Sequence, residues 1–282
     1  MDELYIIARR VLLDALEALG EHRAATILVG AQAVYLHTGA AELGVAEYTT
    51  DADLALDPAL LAVLPPLEQA LEGAGFSSSA GNIGVWKTRR QTAAALDIDV
   101  QVDLLVPATV SPGSGRRAAR LVGHGVHAAR KVDGLEGVLV DQAEHDIPSL
   151  EPDMDARVVR AKVAGPGALL VAKLFKIHER SGSVRANDKD ALDVLRVLQA
   201  IPTVDLAQRL RSVLADERSA AAATKALKLF DDLFANRGSD GAVMAARATQ
   251  PLLDPDQVRL TCEVLAGDLR AELSRCGLRE NR

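Results

Sequence analysis

The chain has 282 residues, 49% apolar and 25% charged, with a net charge of −7. These are ordinary globular proportions with ample core, and the acidic balance argues against a surface that binds nucleic acid everywhere. Aromatic residues make up only 3%, which excludes stacking of exposed bases on Phe, Tyr or Trp as a main device.

Residues 2–20 carry apolar side chains at Leu4, Ile7, Ala8, Val11, Leu12, Ala15, Leu16 and Leu19. That is a helical stripe, with Gly20 as its stop signal. Ile27-Leu28-Val29 predicts a short strand, and Gly30 then opens a second helical pattern through Ala33, Val34 and Leu36. A glycine and a small residue opening a helix can present backbone N–H groups to phosphate, or can simply form a tight strand-to-helix turn. A strand from Tyr48 to Leu56 follows, with Asp51 and Asp53 two residues apart. On a strand such residues share a face, about 6–7 Å apart between Cα atoms. Two carboxylates that close repel unless a cation lies between them, and hard oxygen ligands suit Mg²⁺.

Asp57-Pro58 is a helix-start signal, and the leucines after it predict an amphipathic helix over 57–75. Phe76 to Arg90 predicts a hairpin turning at Ala80-Gly81-Asn82, with Trp86 in the core and Lys87, Arg89 and Arg90 as a solvated strand end. Ala95 to Pro107 alternates most clearly of all: Leu96, Ile98, Val100, Val102 and Leu104 on one face, Asp97, Asp99, Gln101 and Asp103 on the other. Three carboxylates on one strand face call for a cation or basic partners, unless water covers that face.

Residues 111–131 hold five cations, Arg116, Arg117, Arg120, Arg130 and Lys131, and no acid. This is either a solvated loop or a contact for an acidic partner such as tRNA. Val132 to Val140 predicts a further strand, and Glu144 to Pro152 an irregular boundary. Beyond Gly165-Pro166-Gly167 the pattern is helical to the end, so the chain divides near 150–165, with domains assigned to 1–150 and 151–282. Ala168 to Arg180 is a helix with Lys173, Lys176 and Arg180 along one side, and another starts at Asn187-Asp188-Lys189-Asp190. Their charges either face an anion or form a salt-bridge network. Further helices are expected over 203–216, 219–236 and 255–276. Cys262 and Cys276 lack zinc-ligand spacing, MDELYIIARR is not a signal peptide, and no apolar run is long enough to cross a bilayer. A soluble, cytoplasmic protein without a membrane partner is expected.

Taken together, the strand, Gly30-Ala31, the helix, and the strand bearing Thr49-Thr50-Asp51-Ala52-Asp53 resemble the core of the DNA polymerase β-type nucleotidyltransferase superfamily. Lys173, Arg180 seven on, then Lys189-Asp190 and Asp193 resemble its AbiEii/MenT-like toxin group. The resemblance covers about residues 25–200. It implies an α/β (α+β) fold: a nucleotidyltransferase domain with a mixed sheet, then a helical C-terminal domain that completes the nucleotide site. It implies a metal-dependent nucleotidyltransferase, moving an NMP from an NTP to an acceptor, often the 3′ end of tRNA, as the toxin of a toxin–antitoxin pair with a cognate antitoxin protein. Asp51, Asp53 and Asp103 would hold Mg²⁺ or Mn²⁺, with Asp99 second to Asp103 as the third carboxylate. Gly30, Ala31, Thr50, Lys173, Lys176, Arg180 and Asp193 would bind the nucleotide, and Asp190 would orient Lys173 or the base and ribose. Arg116, Arg117 and Arg120 are candidate acceptor contacts. Ala31 stands where the family has Ser or Gly, and Tyr48 where many members have Arg; both departures touch phosphate handling. The alternatives are a transferase acting on a small molecule of aminoglycoside type or on a protein, and a non-catalytic nucleotide-binding module.

Overall fold

In the computed structural model, residues 2–39, 45, 48–78, 81–111, 117–180 and 188–277 are described. The first helix, α1 (Glu3–Ala18), is capped by the Asp2 carboxylate, which accepts from the Leu4 and Tyr5 N–H groups. A 3-10 turn leads into β1 (Thr26–Val29), which is buried along its whole length. Helix α2 (Gly30–Thr38) leaves β1 directly, and β2 (Asp51–Leu56) returns antiparallel to it with Val29 opposite Asp53.

The predicted helix over 57–75 shrinks to α3 (Leu67–Gly73). The reason lies in Pro65 and Pro66: each lacks an N–H, and a proline biases the residue before it away from helix. Then come β3 (Ser77–Ser78), β4 (Val85–Gln91) and the long β5 (Asp97–Pro107). Ser77 pairs with Lys87, so the hairpin forms, while Ala80 of its expected turn lies outside the described residues. Trp86 is fully buried, and its indole N–H donates to the Ala128 carbonyl at 3.0 Å.

The strand expected over 132–140 is instead β6 (Arg130–Val132), a turn at Gly134, and a 3-10 helix over Glu136–Leu139. Gly134 turns the chain with φ +81°, and a Cβ there would sit 2.4 Å from the Phe175 ring. The expected irregular boundary at 144–152 is also different. It holds β7 (Gln142–Pro148), paired antiparallel with β8 (Val158–Ala164). β7 is an edge strand with exposed Glu144 and Asp146, which bond to Arg160, and so it lacks the alternating apolar pattern of a half-buried strand.

The sheet order is β3-β4-β5-β2-β1-β8-β7, with β6 continuing beside β5. β2–β5, β1–β8 and β5–β6 are parallel and the other pairs antiparallel, so the sheet is mixed. A bound at residue 150 would cut β8 from this sheet; the change to helix comes at Pro166. From there the described chain runs as α4 (Pro166–Arg180), α5 (Asp188–Ala200), α6 (Thr203–Ala215), α7 (Ala220–Phe234), α8 (Asp240–Ala248) and α9 (Pro255–Gly277). The sequence reading had no α8. Asn187, where the sequence places the start of α5, lies outside the described residues. No helix among the described residues is long and apolar enough to cross a membrane.

Candidate functional site

The site is built where β1, β2 and β5 lie side by side. Alternation along β2 buries Ala52 and Leu54 and sends Asp51 and Asp53 to the other face. The parallel register sets Asp53 directly opposite Asp103, and Asp51 opposite Gln101. Asp103 therefore stands beside the pair. Asp99 lies further back along β5, exposed, with Arg89 at 3.7 Å.

The chain at Asp51 is fixed from behind. Arg9, buried on α1, donates to the Gln32 side chain (2.8 Å), the Tyr5 hydroxyl (2.9 Å) and the Pro148 carbonyl (3.0 Å). Gln32 in turn donates to the Asp51 carbonyl at 3.0 Å, and the Tyr35 hydroxyl donates to the Tyr48 carbonyl at 2.9 Å. Thr49 is buried and donates its hydroxyl to Asp51 Oδ1 at 2.5 Å. The neighbouring Thr50, expected to contact nucleotide, is exposed. The sequence reading missed this buried network, whose only signal was a charged Arg9 inside an apolar helical stripe.

Gly30 meets the carboxylates at close range. Its φ is +72°, and a Cβ there would sit 2.1 Å from Asp53 Oδ2, so any side chain would strain the backbone and push Asp53 aside. It opens α2, whose N-terminus has no side-chain cap. Free N–H groups at such a terminus, with the positive end of the helix dipole, suit an anion. Ala31 is buried and can offer only its backbone.

Beside these groups lies a cleft of about 450 Å³. One wall is α4, where Leu169, Ala172, Lys173, Lys176 and Arg180 recur at helical spacing. Lys173 is 3% exposed and is gripped by Asp190 (3.0 Å) and Asp193 (2.5 Å) on α5. Burial works against its charge, but these two carboxylates outweigh burial and raise its affinity for the proton. Arg180 bonds Asp190 at 3.1 Å, and Lys176 approaches the same carboxylate at 3.7 Å. Burial opposes ionisation of Asp190, yet Lys173, Lys176 and Arg180 hold it down at about 2. Asp193 is fully buried behind Lys173. It acts by holding that lysine and presents no surface to a ligand.

The cleft also holds residues that the sequence pattern did not single out. Arg130, counted there only among the loop cations, bonds Asp103 Oδ2 at 2.5 Å. Asp133 and, on α4 itself, Glu179 also line the cleft. Partial burial and the nearby Asp133 push the Glu179 carboxyl upward. Asp103 itself is pushed up to about 6 by burial and then by Asp53, with Arg130 only partly opposing. Lys189 lies over the Tyr48 ring at 5.7 Å; burial lowers it, while Asp193 and Asp51 oppose.

The candidate acceptor residues lie elsewhere. Arg116 is outside the described residues, and Arg117 is exposed. Arg120 lines a separate, mainly apolar hollow with Asp57 and Arg218, at the far end of β2. Six strand residues put that end about 17 Å from Asp51.

The donor set fits a small divalent cation. Asp103 Oδ1 is buried with no hydrogen-bond partner, and the carboxylates beside it are hard oxygen donors. Among the described residues no group of three or more His, Cys, Asp or Glu side chains is placed to hold a metal ion by itself. An ion that completes its shell with water and substrate phosphate suits such a half-built site.

No protein-family model matches the chain, and no curated protein does. Among solved structures, the crystal structure of an antigenic nucleotidyltransferase-like protein from Paracoccidioides brasiliensis is similar over 80% of this chain and 93% of its own. Their identity is 16% and the TM-score 0.41, a likeness too loose to decide fold or activity.

Proposed function

We propose that the protein is a nucleotidyltransferase whose cleft takes an NTP and passes its NMP to an acceptor hydroxyl. The observation that carries this reading is the pairing of Asp53 with Asp103, with Asp51 two residues before Asp53 on the same strand, while Asp53 lines one cleft with Lys173, Lys176 and Arg180. Carboxylates for a cation and cations for phosphates then meet at the uncapped start of α2.

Asp51, Asp53 and Asp103 would hold Mg²⁺ or Mn²⁺, which when bound supplies charge stabilisation to the attacking and leaving oxygens of an in-line displacement. The chain's own residues do the rest. The α2 N–H groups and Lys176 bind the triphosphate, and Gly30 lets it come close to Asp53. Lys173, fixed by Asp190 and Asp193, and Arg180 place positive charge where it builds up on the departing pyrophosphate. Asp103, more avid for a proton than an ordinary carboxyl, accepts the proton of the acceptor hydroxyl.

For the acceptor we favour an RNA end, as in the tRNA-modifying toxins that the motif order resembles, with a cognate antitoxin as partner. Arg117 and Arg120 would then meet the body of a large acceptor, since Arg120 lies a strand's length from the carboxylates. A second reading, a small cationic acceptor, is favoured by Asp133 and Glu179 in the cleft lining.

The test is incubation with Mg²⁺, each α-labelled NTP in turn, and total tRNA or an aminoglycoside, beside an Asp51→Ala/Asp53→Ala control. Label on RNA with the wild type alone supports both reaction and acceptor class. Label on an aminoglycoside or on protein keeps the transferase and replaces the acceptor. Label on none of them, from folded protein, refutes the transferase reading.

A further inference from the structure

Arg130 reaches Asp103 because of a glycine. Gly84, just before β4, has φ +73°, and a Cβ on it would lie 2.6 Å from the Arg130 backbone N and 2.7 Å from the Leu104 carbonyl oxygen. Its N–H donates to the His127 carbonyl (2.9 Å), and its own carbonyl accepts from the Leu104 N–H (2.8 Å). With no side chain at 84, β6 can take over from β4 as the neighbour of β5, pairing Arg130 with Leu105. The Arg130 side chain then lies along the cleft with Nη2 on Asp103 Oδ2.

That contact has two unfinished ends. Asp103 Oδ1 and Arg130 Nε are both buried, and neither has a hydrogen-bond partner among the described residues. A guanidinium carries five N–H donors in a rigid fork, shaped for the oxygens of a carboxylate or phosphate. Among the described residues, the Arg130 side chain bonds Asp103 alone, through Nη2, and Nε stays unpaired. A cation held by Asp53 and Asp103 would also need carboxylate oxygen that Arg130 now faces.

We propose that Arg130 is the internal counter-ion of the carboxylate site. It neutralises Asp103 while the cleft lacks nucleotide, and it turns to the phosphates when a divalent ion takes its place. This deepens the nucleotidyltransferase reading and rests on it. Ion and nucleotide then favour each other's binding: the ion has to displace Arg130, and the phosphates receive it. Such coupling is reciprocal, and ordinary couplings run from roughly 5-fold to 150-fold.

The experiment measures Mn²⁺ affinity of the full chain by electron paramagnetic resonance, with and without a non-hydrolysable NTP analogue. In the wild type the analogue tightens Mn²⁺ about tenfold or more. Arg130→Gln binds Mn²⁺ without the analogue about tenfold tighter than wild type and gains little more when it is added. In an Asp103→Asn background the same substitution leaves Mn²⁺ affinity unchanged. Arg130→Lys, which keeps a charge without the fork, falls between and carries the test if Arg130→Gln does not fold. The proposal is overturned if wild-type Mn²⁺ binding depends on nucleotide while neither Arg130 variant binds the free ion more tightly. It is also overturned if Arg130→Gln tightens the ion equally in the Asp103→Asn background, since that would be a general charge effect. A wild type that binds neither Mn²⁺ nor the analogue overturns the underlying nucleotide reading instead.

Discussion

Replacing Lys173 by Met removes one buried cation and leaves two buried carboxylates facing each other. Lys173 is 3% exposed, Asp190 3% and Asp193 0%, so water cannot take the place of the lysine. Breaking a buried pair from one side costs about 3–5 kcal/mol. Asp190 keeps Arg180 and Lys176 as partners, whereas Asp193 has no ion pair besides Lys173 among the described residues, so most of the cost falls there. For a chain of this size each kcal/mol lowers the melting temperature by roughly 2–4 °C, so a fall of roughly 6–20 °C is expected at pH 7. Acid should narrow the gap. Asp190 sits at about 2 in the folded protein, below its unfolded value, so its pairing stabilises at neutral pH and is lost as pH falls through about 2. Without Lys173 the buried carboxylates take up protons at higher pH, and the variant loses less relative to wild type at pH 4 than at pH 7. Adding Asp193→Asn to Lys173→Met should recover part of the loss. Thermal denaturation by circular dichroism at the two pH values is the assay. A fall under about 2 °C at pH 7, or no rescue by Asp193→Asn, would refute a buried ion cluster that depends on Lys173.

Gly30→Ala forces a left-handed alanine and a contact with Asp53; a loss of about 1–2 kcal/mol from the backbone alone, together with loss of nucleotide binding, is expected in melts and titrations. Asp103 sits at about 6 when folded, above its ordinary 3.8, so the folded state takes this proton more readily than the unfolded one. Its contribution favours folding at acid pH and is lost as pH rises through that window; Asp103→Asn should flatten the difference in urea midpoint between pH 5 and pH 8 while abolishing transfer. If the acceptor is RNA, Arg117→Gln/Arg120→Gln should make labelling of RNA more salt-sensitive, whereas transfer to a small acceptor would be unchanged in the same assay.

The sequence was most legible where period and chemistry coincide. The alternation of β5 shows both its strand and its polar face, and Asp51 and Asp53 share a face on any strand that contains them. The grip of Asp190 and Asp193 on Lys173 follows from charges at helical spacing on two neighbouring helices, and a salt-bridge network was one of the two readings of that spacing. Other features depended on long-range packing. Pro65 and Pro66 cut short a helix that the leucines alone suggested. β7 carried too few buried positions to announce itself, since it lies at the sheet edge. Arg130 looked like one more loop cation, because its place beside Asp103 depends on Gly84, far away in sequence. The Arg9–Gln32–Asp51 chain likewise joins three elements that no local pattern links.

The most direct test of the nucleotide site is equilibrium binding of a non-hydrolysable NTP analogue to the wild type and to Asp53→Asn, with and without Mg²⁺. The account predicts tight, Mg²⁺-dependent binding by the wild type and loss of the Mg²⁺ dependence in the variant. Equal binding by both proteins regardless of Mg²⁺, or none by a folded wild type, would contradict it.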